Sequence, residues 1–380
     1  MARQAGTYIS VTTSGEEVRA FLPAPLPVQP PVVLPGARLD SAEKAIHDLN
    51  LVAQMVPSLD WFLYGFVRKE AVLSSQIEGT QATLTDLLAF EAQEDGAPTP
   101  DVEEVCNYVE ALKYARAQLG SAKGLPLSMR LLNETHKRLM RGVRGASKAP
   151  GQVRKTQNWI GGSRPGNAAF VPPPPGQLPE LLANLEQFLH ADKPMSPLAR
   201  AGIAHVQFET IHPYLDGNGR IGRLLIALLL EHWKVLPHPL LYLSLFFRRH
   251  QAEYYRRLSL VRTEGDWEGW LDFFLDGVAT TGEEAVKLAR ELFALVTADR
   301  SKVLAASTAS VYGLRLFELL PSNPIITVNS AIRLLDTTKP TAGKAVSALV
   351  DAGVLEETTG RERGRQFVYG KYFNRLGAGE

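Results

Sequence analysis

Only one cysteine, Cys106, occurs in the 380 residues, so no internal disulfide can form and no thiolate metal cluster can be assembled. A reducing compartment is the natural expectation for such a chain, and Cys106 is expected as a small buried residue. Neither sign of charge is in excess, with 41 basic side chains against 40 acidic ones. That balance excludes a chain-wide attraction to nucleic acid or membrane, though not a local patch. Long apolar runs are missing as well. The most apolar stretch, Ile221 to Leu230, contains Arg223 and falls well short of the roughly 20 residues of a membrane helix. The first residues lack the apolar core of a secretion signal, and no internal repeat is apparent. A cytoplasmic protein without membrane contact is expected. Hydrophobic residues make up 45% of the chain, enough for the cores of two or three domains.

Against this background one segment stands out, His212-Pro-Tyr-Leu-Asp-Gly-Asn-Gly-Arg-Ile-Gly-Arg223. The apolar run that follows reads as the start of a buried helix. A glycine-bearing loop opening a helix suits phosphate, because first-turn N–H groups and the helix dipole both favour an anion. Arginines add forked contacts to phosphate oxygens, and a carboxylate can hold a divalent cation beside them. Histidine is the one group here whose unperturbed pKa suits a base near neutral pH. Together these parts suggest a nucleotide phosphate attacked by a hydroxyl.

Helical spacing dominates the rest. Six prolines between residues 22 and 36 predict an extended, polyproline-like arm over 1–39. Helices are predicted from near Ser41, over Trp61–Ile77, around Leu84–Phe90, over Val102–Leu119 and over Ser128–Met140, then at about 177–191, 197–210, 218–233, 245–263 and 266–298. Between them, β-prone pieces at Trp159–Ile160 and Ala169–Val171 flank glycine-rich turn residues and predict a hairpin. From about Ser310 the order helix, helix, helix, hairpin is that of a winged helix-turn-helix. His205, Glu209 and His212 share helix-like spacing, which raises zinc. Pro213 ends that helix and no His-Glu-x-x-His pattern exists, so His205 is expected as a structural histidine.

The segment 212–223 resembles the signature of Fic-domain proteins, His-Pro-Phe-x-Asp-Gly-Asn-Gly-Arg-x-x-Arg, with Tyr214 in place of the usual phenylalanine. Ser74-Ser-Gln-Ile-Glu78-Gly79 is similar to the inhibitory motif of members that carry their own brake in an N-terminal helix. The predicted hairpin at 152–175 looks like the family's target-docking flap. The Tyr254-Tyr255 and Gly265–Trp270 stretches look like its C-terminal core helices. The resemblance covers roughly residues 40–290. It implies a mainly α fold: a Fic-type helical bundle with a β-hairpin flap, plus a C-terminal winged helix-turn-helix. The division expected is an arm over 1–39, an N-terminal helical region with the inhibitory helix over 40–120, a catalytic core over 121–298 and the winged domain over 299–380.

The implied activity is transfer of AMP from ATP to a Ser, Thr or Tyr hydroxyl of a target protein, the chain itself included, with release of pyrophosphate. His212 would be the base and Asp216 would hold Mg²⁺. Gly217 and Gly219 would let backbone N–H groups approach phosphate, Asn218 and Arg220 would hold the α- and β-phosphates, Ile221 and Gly222 would belong to the ATP site, and Arg223 would meet the γ-phosphate. Glu78, supported by Ser74 and Gly79, would pair with Arg223 and deny it to ATP. Tyr254 is a candidate for the adenine or ribose, with a core tyrosine as the alternative. Ile160, Gly161, Gly162 and Ser163 would pair with an extended target segment. In the tail, Arg333, Lys339, Lys344, Arg361, Arg363 and Arg365 leave DNA binding or a protein contact open, as is homodimer formation. The rival readings are a DNA-binding regulator with a nucleotide-sensing core, or an enzyme that removes AMP.

Overall fold

The structure is a computed structural model that describes residues 5–55, 58–92, 97–191, 195–306, 310–360 and 364–377. The fold is mainly helical, but it does not open on an extended arm. Strands β1 (Gly6–Thr13) and β2 (Glu16–Pro23) pair antiparallel from Gly6↔Pro23 to Thr13↔Glu16. Their two-residue turn, Ser14-Gly15, has positive φ at both positions, 51° and 78°, the geometry whose twist matches the flanking strands. Only the proline-rich stretch after Pro23 lacks regular structure, and helix α1 (Gly36–Met55) starts ahead of Ser41.

Helices α2 (Leu59–Ile77), α3 (Leu84–Ala92), α4 (Pro100–Gly120) and α5 (Met129–Leu139) follow. Their starts are written in the sequence. Thr99 caps α4 by accepting from Val102 N–H with Pro100 at the first turn, and Ser128 caps α5 by accepting from Leu131 N–H. The predicted hairpin after α5 is reduced to one bridge, Ile160↔Phe170. Helix α6 (Leu178–His190) leads to the two central helices, α7 (Pro197–Ile211) and α8 (Asn218–His232). Both are apolar on nearly every side and hence buried. Leu224, Leu225, Leu228 and Leu229 are fully buried, each stabilising the fold by roughly 1.5–3 kcal/mol relative to exposure.

The single helix predicted over 245–263 is two, α9 (Ser244–Arg249) and α10 (Gln251–Glu264), separated at His250. Helix α11 (Trp267–Ala305) begins at the Asp266 cap and runs through the boundary expected at 298/299. Gly202 of α7 lets the two helices approach, since a Cβ there would meet Leu271 and Phe274 at 3.0 Å, and Trp270 Nε1 donates to Gly202 C=O. Helix α1 lies along α11 with Ala45 against Gly282.

The remainder holds α12 (Val311–Leu319), β3 (Ile325–Thr327), α13 (Val328–Leu335), α14 (Lys339–Asp351), β4 (Glu356–Glu357), β5 (Gln366–Val368) and α15 (Gly370–Gly377). The strands form an antiparallel sheet in the order β3-β5-β4. Arg361 and Arg363 of the proposed basic tip lie outside the described residues. This region packs into the same apolar core as the rest. Leu376 covers Gly65 of α2, Lys69 Nζ donates to Leu376 C=O, and Tyr372 Oη donates to Trp61 C=O. Among the described residues no helix is long and apolar enough to cross a membrane.

Candidate active site

Helices α7 and α8 meet end to start, and the signature segment is the turn between them. His212 closes α7 in the left-handed conformation (φ 50°, ψ 61°), and Gly217 opens α8 in the same region (φ 76°). Asn218 clasps the turn: its Oδ1 accepts from Tyr214 N–H at 2.8 Å and its Nδ2 donates to Tyr214 C=O at 2.8 Å. Its Oδ1 and one Nδ2–H thus shape the loop, and the amide carries a second N–H donor besides. Ile221 is fully buried, and its side chain belongs to the core.

Two residues that sequence reasoning gave no role hold the turn from outside. Arg154 is buried and donates to His212 C=O (2.9 Å), Thr156 C=O (3.3 Å) and Pro173 C=O, while its own N–H bonds Pro213 C=O. It places a cation on the spent carbonyls at the end of α7. His136 stacks on Tyr214 with ring centroids 3.9 Å apart. Its Nδ1 accepts from Gly151 N–H, so its Nε2–H donates to Asp216 C=O at 2.9 Å. Neither residue carries a motif signal; only the fold brings them to the loop.

Burial, with Arg154 adding to it, lowers the His212 pKa to about 4, against an upward push from Glu78. The ring is thus neutral at pH 7, and its Nδ1 has no hydrogen-bond partner. Asp216 is half exposed beside it. Its Oδ1 accepts from Gly217 N–H at 2.6 Å and lies 3.7 Å from Arg220 Nη2.

The two arginines sit one helix turn apart and are both buried. Arg223 donates through Nε to Ser74 Oγ (2.9 Å) and through Nη2 to Ser74 C=O (2.8 Å) and Glu78 Oε1 (2.7 Å). Burial pushes the Glu78 carboxyl upward, but Arg223 outweighs it by charge and hydrogen bond, and the pKa is lowered. Glu78 ends α2 over the first turn of α8: a Cβ on Gly219 would stand 2.2 Å from Glu78 Oε1. Its carboxylate thus lies against the first turn of α8, the end where the helix dipole favours negative charge. Arg220 pairs with Glu104 of α4 at 3.0 Å, a partner the sequence did not suggest.

Other expected contacts change on inspection. Tyr254 is buried, stacks on Phe247 (4.5 Å) and hydrogen-bonds His205 Nε2 at 2.8 Å, so it offers no face to a nucleotide. Its neighbour Tyr255 is 46% exposed. His205 donates through Nδ1 to Gly222 C=O at 3.0 Å, the structural role expected of it. Gly222 serves packing, since a Cβ there would strike Glu209 Oε1 at 2.1 Å.

In the flap, Ile160 exchanges both backbone hydrogen bonds with Phe170 (2.8 and 3.1 Å), and Gly161, Gly162 and Ser163 are exposed. The N-terminal hairpin buttresses it. Phe21 N–H bonds Val171 C=O at 2.9 Å, Phe21 packs with Phe170 and Ile160, and Arg164 pairs with Glu16.

Residues 37–117 match the Fic/DOC family N-terminal profile, and residues 126–230 match the Fic/DOC family profile. This is a Fic-domain protein. Among curated relatives it is 29% identical over 240 residues to protein adenylyltransferase Fic of Drosophila grimshawi, covering 62% of this chain and 45% of the relative. It is 30% identical over 205 residues to the protein of the same name from Culex quinquefasciatus, covering 53% and 38%. The chain thus spans less than half the length of these relatives. Among solved structures, a Fic family protein from Desulfovibrio desulfuricans matches with a TM-score of 0.57 at 22% identity, covering 89% of this chain and 97% of that one. A Fic domain containing signaling protein from Bacteroides thetaiotaomicron matches at 0.51 and 19% identity, covering 66% and 95%. These likenesses establish the Fic fold for the helices that carry His212, Arg220 and Arg223.

Proposed function

We propose that the protein transfers AMP from ATP to a hydroxyl side chain of a target protein, itself included, and that Glu78 restrains this reaction. The observation that carries the reading is the 2.7 Å pair of Glu78 with Arg223 against the first turn of α8, the helix into which the His212 turn leads. The names of the curated relatives support the reaction class.

In this reading ATP lays its phosphates on the first turn of α8, where Gly219 leaves the backbone open and Arg220 and Arg223 supply charge. His212 takes the proton of the incoming hydroxyl. The oxygen attacks the α-phosphorus, the bond from that phosphorus to the β-phosphate bridge breaks, and pyrophosphate leaves. Positioning and charge neutralisation provide most of the acceleration. Among the described residues no group of three or more His, Cys, Asp or Glu gathers as a metal cage. Asp216 nevertheless fits Mg²⁺: one half-exposed hard carboxylate suits an ion whose other ligands are phosphate oxygens and water. Such an ion supplies positive charge to the phosphates. Tyr255, not Tyr254, is the aromatic ring available to the base. Residues 160–163 would receive an extended target segment. A reducing, cytoplasmic setting suits the lone cysteine.

A winged helix-turn-helix reading of residues 310–377 is supported by the element order and the β3-β5-β4 sheet. DNA binding is not favoured, because past the first turn of α14 the exposed residues are Lys344, Ser347, Val350 and Asp351, one cation against one anion.

The test is labelling with radioactive ATP and Mg²⁺. Glu78→Gly is expected to label itself far more strongly than the parent chain, and adding His212→Ala to lower that rate by about 10²–10⁴. Equal labelling with and without Glu78 would defeat the restraint. Labelling that survives loss of His212 would defeat the chemistry.

A further inference from the structure

Glu104 lies on α4, outside the signature segment and outside the inhibitory motif, yet it is the most constrained carboxylate near the site. It is 2% exposed. Its Oε2 accepts from Arg220 Nη1 at 3.0 Å and from Thr80 Oγ1 at 3.1 Å. Its Oε1 lies 3.6 Å from Arg144 Nε, and Arg144 Nη2 donates to Glu78 C=O at 3.3 Å. One buried anion thus joins a signature arginine to the residues just after α2.

The alternative partner for Arg220 is close. Asp216 Oδ1, just ahead of α8, already makes a longer ion pair with Arg220 Nη2 at 3.7 Å. A buried guanidinium without an anion is strongly disfavoured, so a freed Arg220 would move onto Asp216. That movement would turn the arginine away from phosphate and quench the carboxylate at once. Met140 Sδ, at 3.6 Å from Nη2, cannot replace a charge.

We propose that Glu104 is a positioning residue: its closer bond keeps Arg220 from closing fully onto Asp216, so that the arginine faces the phosphates and the carboxylate stays open to a cation. The proposal rests on the nucleotide reading of the site. It makes the N-terminal helical region part of the nucleotide-binding machinery and not solely its restraint. Glu78 blocks Arg223, whereas Glu104 prepares Arg220.

The test is a double-variant cycle in the full-length Glu78→Gly chain, using Glu104→Gln, Arg220→Gln and both together. Affinity for Mg·ATP is read by calorimetry and AMP transfer by radiolabel. Glu104→Gln is expected to weaken ATP binding about tenfold, and the double variant to bind no worse than Arg220→Gln alone. Wild-type affinity in Glu104→Gln, or losses that simply add, would overturn the proposal. Affinity is measurable whether or not AMP is transferred, so a chain that binds ATP but labels nothing counts against the reaction, while the cycle still judges Glu104. If Glu104→Gln unfolds, Thr80→Val takes its place by removing one hydrogen bond from the carboxylate. Parent-like affinity in that variant would also overturn the proposal.

Discussion

A histidine in water is half protonated near pH 6.5, and His212 departs from that because burial and Arg154 both oppose its charge. Proton NMR of the imidazole C–H signals, assigned by comparison with His212→Ala, is therefore expected to show His212 still neutral at pH 5. A midpoint near 6.5 would mean that the ring is solvated. At this scale the sequence was legible wherever chemistry and chain order coincide. His212, Asp216, Arg220 and Arg223 lie within one turn and the start of one helix, so their meeting needed no tertiary knowledge. It was illegible where a side chain had two uses. Asn218 looks like a phosphate donor, and the sequence does not show that its Oδ1 and one Nδ2–H also clasp Tyr214. Tyr254 and Tyr255 are indistinguishable as neighbours in a sequence, and only the register of α10 against Phe247 and His205 decides which is buried. Glu104 and Arg154 reach the loop from distant segments that carry no signature of their own.

At the scale of elements, the proposed restraint depends on α2, because Glu78 caps its end. Its first half is held by α15: Leu376 is fully buried against Gly65, Lys69 donates to Leu376 C=O, and Tyr372 donates to Trp61 C=O. Leu376→Ala should lower stability by about 2–5 kcal/mol through the cavity it leaves. It should also speed hydrogen exchange in the amides of α2 more than in those of α7. Uniform acceleration across the chain would show that α15 does not act on α2 in particular. Helices were readable from apolar spacing and from caps such as Thr99, Ser128 and Asp266. The N-terminal hairpin escaped although its signals were present, in the alternating Thr7–Thr12 stretch and the Ser14-Gly15 turn. The prolines after Pro23 dominated that reading, and a strand whose partner surface is the flap has little apolar periodicity of its own. The end of α11 escaped for the opposite reason, since the helix continues without a break into the C-terminal region and no residue marks the expected boundary.

The whole molecule stores two opposed sets of buried titratable groups, and their balance sets its response to pH. Burial lowers His136 to about 4, His205 to about 3 and His212 to about 4. Below pH 6.5 the unfolded chain binds protons that these folded rings refuse, so their contribution to stability is lost as pH falls from 6.5 toward 4. Burial raises Glu70 and Glu209 to about 7. Between 4.5 and 7 the folded chain keeps protons there that the unfolded chain releases, so stability is lost as pH rises through that window. Each proton is worth about 1.4 kcal/mol per pH unit. Among these five groups the histidines outnumber the glutamates, so their joint contribution to stability should climb from pH 4.5, peak near 6.5 and decline toward 7. Glu209 is the sharper probe, because its Oε1 has no hydrogen-bond partner and burial outweighs the pull of Arg223 and Arg262. Glutamine at this position copies the protonated acid. Glu209→Gln is therefore expected to match the parent's urea midpoint near pH 4.5 and to exceed it at pH 8, by up to about 3 kcal/mol in unfolding free energy. An equal difference at both pH values would show that Glu209 does not change its proton binding on folding.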